Sequence, residues 1–130
     1  MPYLLLTRVI FHFFRLVQVN SMPHIPLEAH LPGITGLLEY RQDTAAPIRE
    51  LTQILLRGES TLSEAERELI ATLVSSRNQC RFCTAAHTAA ANILLGENQT
   101  CAQVIDDFEQ AELGEKMKAL LAIAALVQQN

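Results

Sequence analysis

Residues 63–96 read SEAERELIATLVSSRNQCRFCTAAHTAAANILLG, and this stretch contains the clearest signals for the fold class. It opens with the pattern of a capping box: the Ser63 hydroxyl can accept from the N–H three residues on, and the Glu66 carboxylate can reach back. Apolar residues then recur at helical spacing, namely Ala65, Leu69, Ile70, Leu73 and Val74. A polar cluster at residues 76–78 predicts a turn. The first half of the stretch therefore predicts one helix and its end.

The second half of the stretch predicts another helix, from near Cys80 to Leu95. Its body is dense in alanine, the best helix former. Gly96 follows where a helix would end. Because alanine side chains are small, this helix is expected to let a neighbouring helix approach closely.

Outside this stretch the chain also follows helical patterns. Residues 46–57 place apolar side chains on one face (Ile48, Leu51, Ile54 and Leu55), with Pro47 expected in the first turn and Gly58 at the C-terminal cap. Residues 100–103 read as a second capping box, and residues 115–128 as a last helix. No strand pattern occurs after residue 22. The expected fold class is all-α, a helical bundle with short, mostly antiparallel connections.

Composition limits the classes of function. A chain of 130 residues suggests one domain, and a net charge of -4 without a basic stripe gives no support for nucleic-acid binding. Three cysteines are too few, and an odd number, for a secreted disulfide scaffold. Two of them form a C-x-x-C motif, which in a cytosolic protein indicates redox or metal chemistry. A cytoplasmic location is therefore expected.

Residues 1–21 form an apolar extension that is distinct from the expected domain, residues 22–130. The apolar run is interrupted by Arg8, His12 and Arg15, which is unfavourable for a spanning helix and unlike a signal peptide. These three residues share one helical face, as in an interfacial amphipathic helix. The alternative is that translation starts at Met22. Membrane contact is expected only if residues 1–21 are part of the protein.

The residues that carry chemistry lie at the predicted start of the second helix. At helical spacing Cys80, Cys83 and His87 point in similar directions. A free thiol has a pKa of about 8.5, which a helix N-terminus lowers to roughly 3.5–7.5. His87 lies one turn beyond Cys83 and can serve as its base, while the second thiol can resolve an oxidised product. An antiparallel packing would bring Glu68 of the preceding helix near His87.

The pattern Glu68, eleven residues, Cys80-x-x-Cys83-x-x-x-His87 resembles the signature of AhpD-like alkylhydroperoxidases in the carboxymuconolactone decarboxylase superfamily. The resemblance covers residues 51–95 and, more loosely, residues 114–127. The aromatic residue between the cysteines, Phe82, resembles the residue type found there in the peroxidase-related branch of that superfamily.

The resemblance implies a function and a role for each residue. Cys83 would be the peroxidatic thiolate, Cys80 the resolving thiol, and Glu68 with His87 the proton relay. Helix-dipole reasoning alone would instead favour Cys80 as the thiolate. The implied substrate is a hydroperoxide and the implied reductant a dithiol, such as a lipoyl or thioredoxin-like protein. No cofactor is implied beyond the dithiol itself, and the implied assembly is a homo-oligomer, a trimer or hexamer.

Three other kinds of interpretation remain open on the sequence: a metal site, a disulfide without catalysis, and a different enzyme reaction. Cys80, Cys83 and His87 could bind zinc with a fourth ligand from Cys101, His24 or His30. The cysteines could form an inert structural disulfide. The protein could also be a redox sensor or scaffold in which the disulfide changes packing without catalysis. The superfamily's lactone decarboxylation is a third interpretation, although that reaction does not require a C-x-x-C pair.

Overall fold

The computed structural model describes residues 24–129, which form helices and connections without a strand. Residues 1–21, for which an extension or a start at Met22 was predicted, lie outside this range. The helices are α1 (Ile34–Tyr40), α2 (Gln42–Arg57), α3 (Glu64–Arg77), α4 (Arg81–Leu95), α5 (Thr100–Asp107) and α6 (Glu115–Gln129). The predicted all-α fold class is confirmed. None of the helices within this range is both long and apolar enough to cross a membrane.

The α3–α4 hairpin is the centre of the fold. Glu68 lies ten residues before Asn78 and His87 nine residues after it, and their side chains are in contact, so the two helices run antiparallel. The core lies against this hairpin and contains residues from α3 to α6 and their connections: Leu69, Leu73, Ala91, Cys101, Val104, Phe108, Ala111, Met117, Leu121 and Ala125. Burial of this apolar surface fixes α5 and α6 against α3 and so leaves the start of α4 at one end of the bundle.

The predicted capping box at the start of α3 is present. The Ser63 hydroxyl accepts from the Glu66 N–H at 3.2 Å, and the Glu66 carboxylate accepts from the Ser63 N–H at 2.7 Å. The bond from the Ser63 backbone lowers the pKa of Glu66 below its ordinary value. Two backbone donors that a helix N-terminus leaves unpaired are therefore satisfied.

Replacing Ser63 with alanine is expected to lower the free energy of unfolding by about 1 kcal/mol, because the Glu66 N–H loses its acceptor. Urea denaturation followed by circular dichroism measures the change. Thr61→Ala, at an exposed position in the same connection, is the control. Equal losses in the two variants would mean that the cap does not stabilise α3.

Two details of the sequence prediction are wrong. α2 begins at Gln42 rather than Ala46, so Pro47 lies inside the helix instead of in its first turn. The additional turn is held by Arg41, whose carbonyl accepts from the Ala45 N–H and whose guanidinium pairs with Asp43. The hydrogen bond from Arg41 lowers the pKa of Asp43 to about 2.

The second predicted capping box, at residues 100–103, is also wrong. Thr100 is the first residue of α5, and its predicted capping role is taken by the Glu97 carboxylate. This carboxylate accepts from the Gln99 N–H at 2.6 Å and the Thr100 N–H at 3.2 Å, and bonds from these residues lower the pKa of Glu97. An ionised acceptor forms stronger hydrogen bonds than a neutral hydroxyl.

Candidate active site

A tight turn at the end of α3 positions the first cysteine. The Cys80 N–H donates to the Ser75 carbonyl at 3.1 Å, and the Gln79 N–H to the Ser76 carbonyl at 2.9 Å. This is the hydrogen-bond pattern of a Schellman motif, in which the residue at Gln79's position adopts a left-handed conformation. Gln79 does so with φ of 55° although it is not glycine. The chain then enters α4 directly at Cys80.

Cys80 is the N-cap residue of α4 and forms a disulfide with Cys83 in the first turn. The Cys80 Sγ also lies 3.3 Å from the Cys83 N–H, which donates to it. Both cysteines are half-buried, so reagents from solvent can reach them. The sulfurs therefore lie at the positive end of the α4 dipole, where a thiolate would be stabilised.

His87 lies one turn beyond Cys83 on α4, and it contacts α3 through its ring. Its Nδ1 is 2.7 Å from Oε2 of Glu68. Because an ionised carboxylate can only accept, this contact assigns the ring proton to Nδ1 and leaves Nε2 free to accept a proton. The His87 side chain is 27% exposed and that of Glu68 only 2%, so the pair is buried at the carboxylate and accessible at the imidazole.

The third member of this arrangement, Arg57, was not predicted from the sequence. Its Nη2 is 2.5 Å from Oε1 of Glu68, so each carboxylate oxygen has one partner. Arg57 is the last residue of α2, separated from Glu68 by a loop and a helical turn. The sequence offers only a weak signal for this contact: a basic last turn of α2 followed by acidic residues four apart, Glu64 and Glu68.

Phe82, between the two cysteines, packs against the segment that precedes α1. A Cβ atom added at Gly33 would lie 2.4 Å from Cδ1 of the Phe82 ring, and Gly33 has φ of +56°. Both the close approach and the backbone conformation thus require glycine there. At the α3–α4 turn, an open depression of about 640 Å³ is lined by Ser76, Gln79, Arg81, Thr84 and Ala85.

The third cysteine, Cys101, lies in the core and does not join the other two. Cys101 is fully buried in the core, and burial raises the pKa of its thiol. Between residues 24 and 129, no group of three or more His, Cys, Asp and Glu side chains is arranged to hold a metal ion. The four predicted site residues form two pairs instead, Cys80 with Cys83 and Glu68 with His87.

Comparison with known proteins identifies relatives of this fold. The sequence profile of the carboxymuconolactone decarboxylase family matches residues 42–126. No curated protein matches the sequence.

Among the solved structures that are similar to this chain are two of proteins described as uncharacterized and peroxidase-related. The one from Ralstonia eutropha JMP134, described as an alkylhydroperoxidase AhpD core, has a TM-score of 0.70 and 26% identity over 76% of this chain and 52% of its own. The one from Silicibacter sp. TM1040 has a TM-score of 0.71 and 26% identity over 94% of this chain and 60% of its own. The chain thus spans between half and two-thirds of the length of these relatives.

Proposed function

Because the chain belongs to the carboxymuconolactone decarboxylase family, with solved relatives described as peroxidase-related, we propose that it is a thiol-dependent peroxidase and disulfide reductase acting on hydroperoxides. The observation that carries the proposal is a half-buried Cys80–Cys83 disulfide at the start of α4, one turn before a histidine paired with a buried carboxylate. An inert structural disulfide requires neither the histidine nor the carboxylate.

The reaction begins from the reduced dithiol. His87 accepts the thiol proton of Cys83, and the thiolate attacks the terminal oxygen of the hydroperoxide. The O–O bond breaks, the alkoxide leaves and takes a proton from the His87 imidazolium, and Cys83 becomes a sulfenic acid. The Cys80 thiol then attacks the sulfenic sulfur, which forms the disulfide and releases water. Two electrons thus pass from the thiols to the peroxide.

Cys83 is proposed as the nucleophile because it lies one helical turn from His87, and this role agrees with the resemblance seen in the sequence. Cys80, the N-cap residue, is proposed as the resolving thiol. Glu68 orients the ring and stabilises the imidazolium that forms while His87 holds the proton.

A dithiol must return the disulfide to its reduced form by thiol–disulfide exchange. We propose a lipoyl or thioredoxin-like protein as this reductant, since the half-buried sulfurs are accessible to a partner thiolate. The site then needs no cofactor other than the Cys80–Cys83 pair. A reducing compartment such as the cytoplasm suits this cycle.

Purified protein supplied with an organic hydroperoxide and a dithiol tests the proposal. Stoichiometric conversion of hydroperoxide to alcohol over many turnovers is the expected result. Negligible turnover with an intact, reducible disulfide would reject the proposal and favour a redox sensor or scaffold. Decarboxylation of a carboxymuconolactone that persists after both cysteines are alkylated, without hydroperoxide turnover, would point to the decarboxylase chemistry of the family name.

Assembly into a homo-oligomer is part of the proposal, and an apolar face of α2 supports it. Ile48, Leu51, Ile54 and Leu55 lie on one side of this helix with 44%, 56%, 59% and 61% of their surfaces exposed. Burying such a side chain contributes about 1.5–3 kcal/mol, so covering this face with a second copy would be favourable. In the trimer or hexamer that the resemblance implies, this patch would be buried between neighbouring subunits.

Leu51→Glu is therefore expected to convert the oligomer to a monomer, because it places a charge in the centre of the α2 apolar face. Sedimentation velocity measures the change. Gln53→Glu, at an exposed position on the opposite side of α2, is the control and should leave the assembly intact. A wild-type protein that is already monomeric, or a Leu51→Glu variant that still associates, would contradict this interface.

A further inference from the structure

Arg57 reaches from the end of α2 to the buried carboxylate behind the histidine. Its Nη2 contacts Oε1 of Glu68 at 2.5 Å, its Nε lies 3.4 Å from Oε2 of Glu64, and its Nη1 donates to the Leu56 carbonyl at 2.9 Å. The Arg57 side chain is 29% exposed, while that of Glu68 is 2% exposed. The guanidinium is thus held between two carboxylates and a helix end.

A carboxylate buried to this extent is costly unless it is paired and hydrogen-bonded. The uncharged form of His87 supplies a hydrogen bond to Glu68 but no charge. Arg57 supplies the compensating positive charge, and does so permanently because a guanidinium does not deprotonate in proteins. Without it, the charged form of Glu68 would be disfavoured.

We propose that Arg57 is a positioning residue, which keeps Glu68 ionised so that the carboxylate accepts from Nδ1 of His87 and leaves Nε2 free as the base. The expected effect of Arg57 on hydroperoxide turnover rests on the proposed function. Its expected effect on the tautomer of the His87 ring does not. Four ionisable groups lie near Glu68 on the packed elements: Arg57 of α2, Glu64 of α3, His87 of α4 and Cys101 of α5. Of these, only Arg57 carries a fixed positive charge.

A second arginine provides a matched control. Arg67 of α3 donates to the carbonyls of Leu55 at 3.1 Å and Gly58 at 2.8 Å. It therefore joins α2 to α3 as Arg57 does. Unlike Arg57, it makes no hydrogen bond to Glu68 within residues 24–129. A purely structural role for Arg57 would make Arg67→Met and Arg57→Met similar in their effects.

The experiment compares wild type, Arg57→Met, Arg57→Lys and Arg67→Met. Nitrogen-15 chemical shifts of the His87 ring, measured on the full chain, report the tautomer without any peroxide. Wild type and Arg67→Met should show the proton on Nδ1, Arg57→Met should lose this preference, and Arg57→Lys should retain it in part.

The kinetic arm measures hydroperoxide turnover across pH. Arg57→Met is expected to lower kcat about ten- to a hundred-fold with KM little changed, as is usual when a partner behind a functional side chain is removed. Its acid limb should move to higher pH, because the Glu68–His87 pair then lacks its fixed positive charge, and Arg57→Lys should restore most of that limb.

The outcomes separate the two proposals. A wild-type tautomer in Arg57→Met, or an equal change in Arg67→Met, would overturn the role of Arg57 whether or not peroxide is consumed. If wild type consumes no peroxide but the tautomer responds as expected, the proposed function fails while the positioning role stands. Should Arg57→Met not fold, Arg57→Lys decides by the same ring shifts. A partial loss of the Nδ1 preference that Arg67→Met does not show would support the role, and a loss no greater than in Arg67→Met would overturn it.

Discussion

Cys83→Ser is expected to abolish hydroperoxide turnover, with a loss of at least about 10³-fold, because serine cannot form the nucleophilic thiolate or the sulfenic acid. The change replaces one atom at a half-buried position, so the start of α4 should be preserved. Steady-state consumption of an organic hydroperoxide, with a dithiol as the electron donor, measures the effect.

Cys80→Ser is the matched control for that variant. It lacks the resolving thiol but keeps the nucleophile, so in the absence of a dithiol the reduced variant should consume one hydroperoxide per chain in a single burst and stop as the Cys83 sulfenic acid. Reaction with dimedone would trap this acid. The reverse pattern, a burst in Cys83→Ser and none in Cys80→Ser, would exchange the two roles, as the N-cap position of Cys80 alone would suggest.

His87→Asn is expected to lower turnover by about 10²–10⁴-fold near neutral pH, the usual contribution of a general base. Asparagine can still donate from its amide to Glu68 in place of Nδ1, so the buried carboxylate keeps its partner, but nothing replaces Nε2. The measurement is kcat/KM as a function of pH.

The pH dependence of the deficit identifies the cause. A free thiol ionises near pH 8.5 without a base, so the difference between wild type and His87→Asn should shrink above about that pH. A deficit that is the same at every pH would mean that His87 does not remove the proton from the thiol. Glu68→Gln should show a smaller loss, since it removes the charge behind the ring but not the ring.

The α3–α4 hairpin could be predicted because its signals are local. The capping box at Ser63, the alanine-rich body of α4 and Gly96 at its end each act within one helical turn. The contact between Glu68 and His87 could also be anticipated, since an antiparallel hairpin brings back residues at equal distances from its turn. The burial of Glu68, whose side chain is 2% exposed, has no local signal in the sequence, because a glutamate usually lies at the surface.

The remaining details depend on which of several groups caps a helix and on how helices pack, and local sequence patterns do not determine either. Glu97 provides a stronger acceptor than the expected capping residue of α5, and Arg41 extends α2 beyond the point where Pro47 suggested a start. The contact from Arg57 to Glu68 depends on how α2 packs beside α3. Nor does glutamine predict the left-handed turn at residue 79, where the hydrogen bonds that close α3 override the residue preference.

Mass spectrometry of the thiols tests whether a hydroperoxide oxidises Cys80 and Cys83 as a redox-active pair. Fully reduced protein is treated with one equivalent of an organic hydroperoxide, then alkylated and mapped. The expected result is a Cys80–Cys83 disulfide, a loss of the mass of two hydrogen atoms, and an unoxidised Cys101, which is buried in the core. Free thiols at both positions after hydroperoxide treatment, or oxidation confined to Cys101, would contradict a redox-active pair at the start of α4.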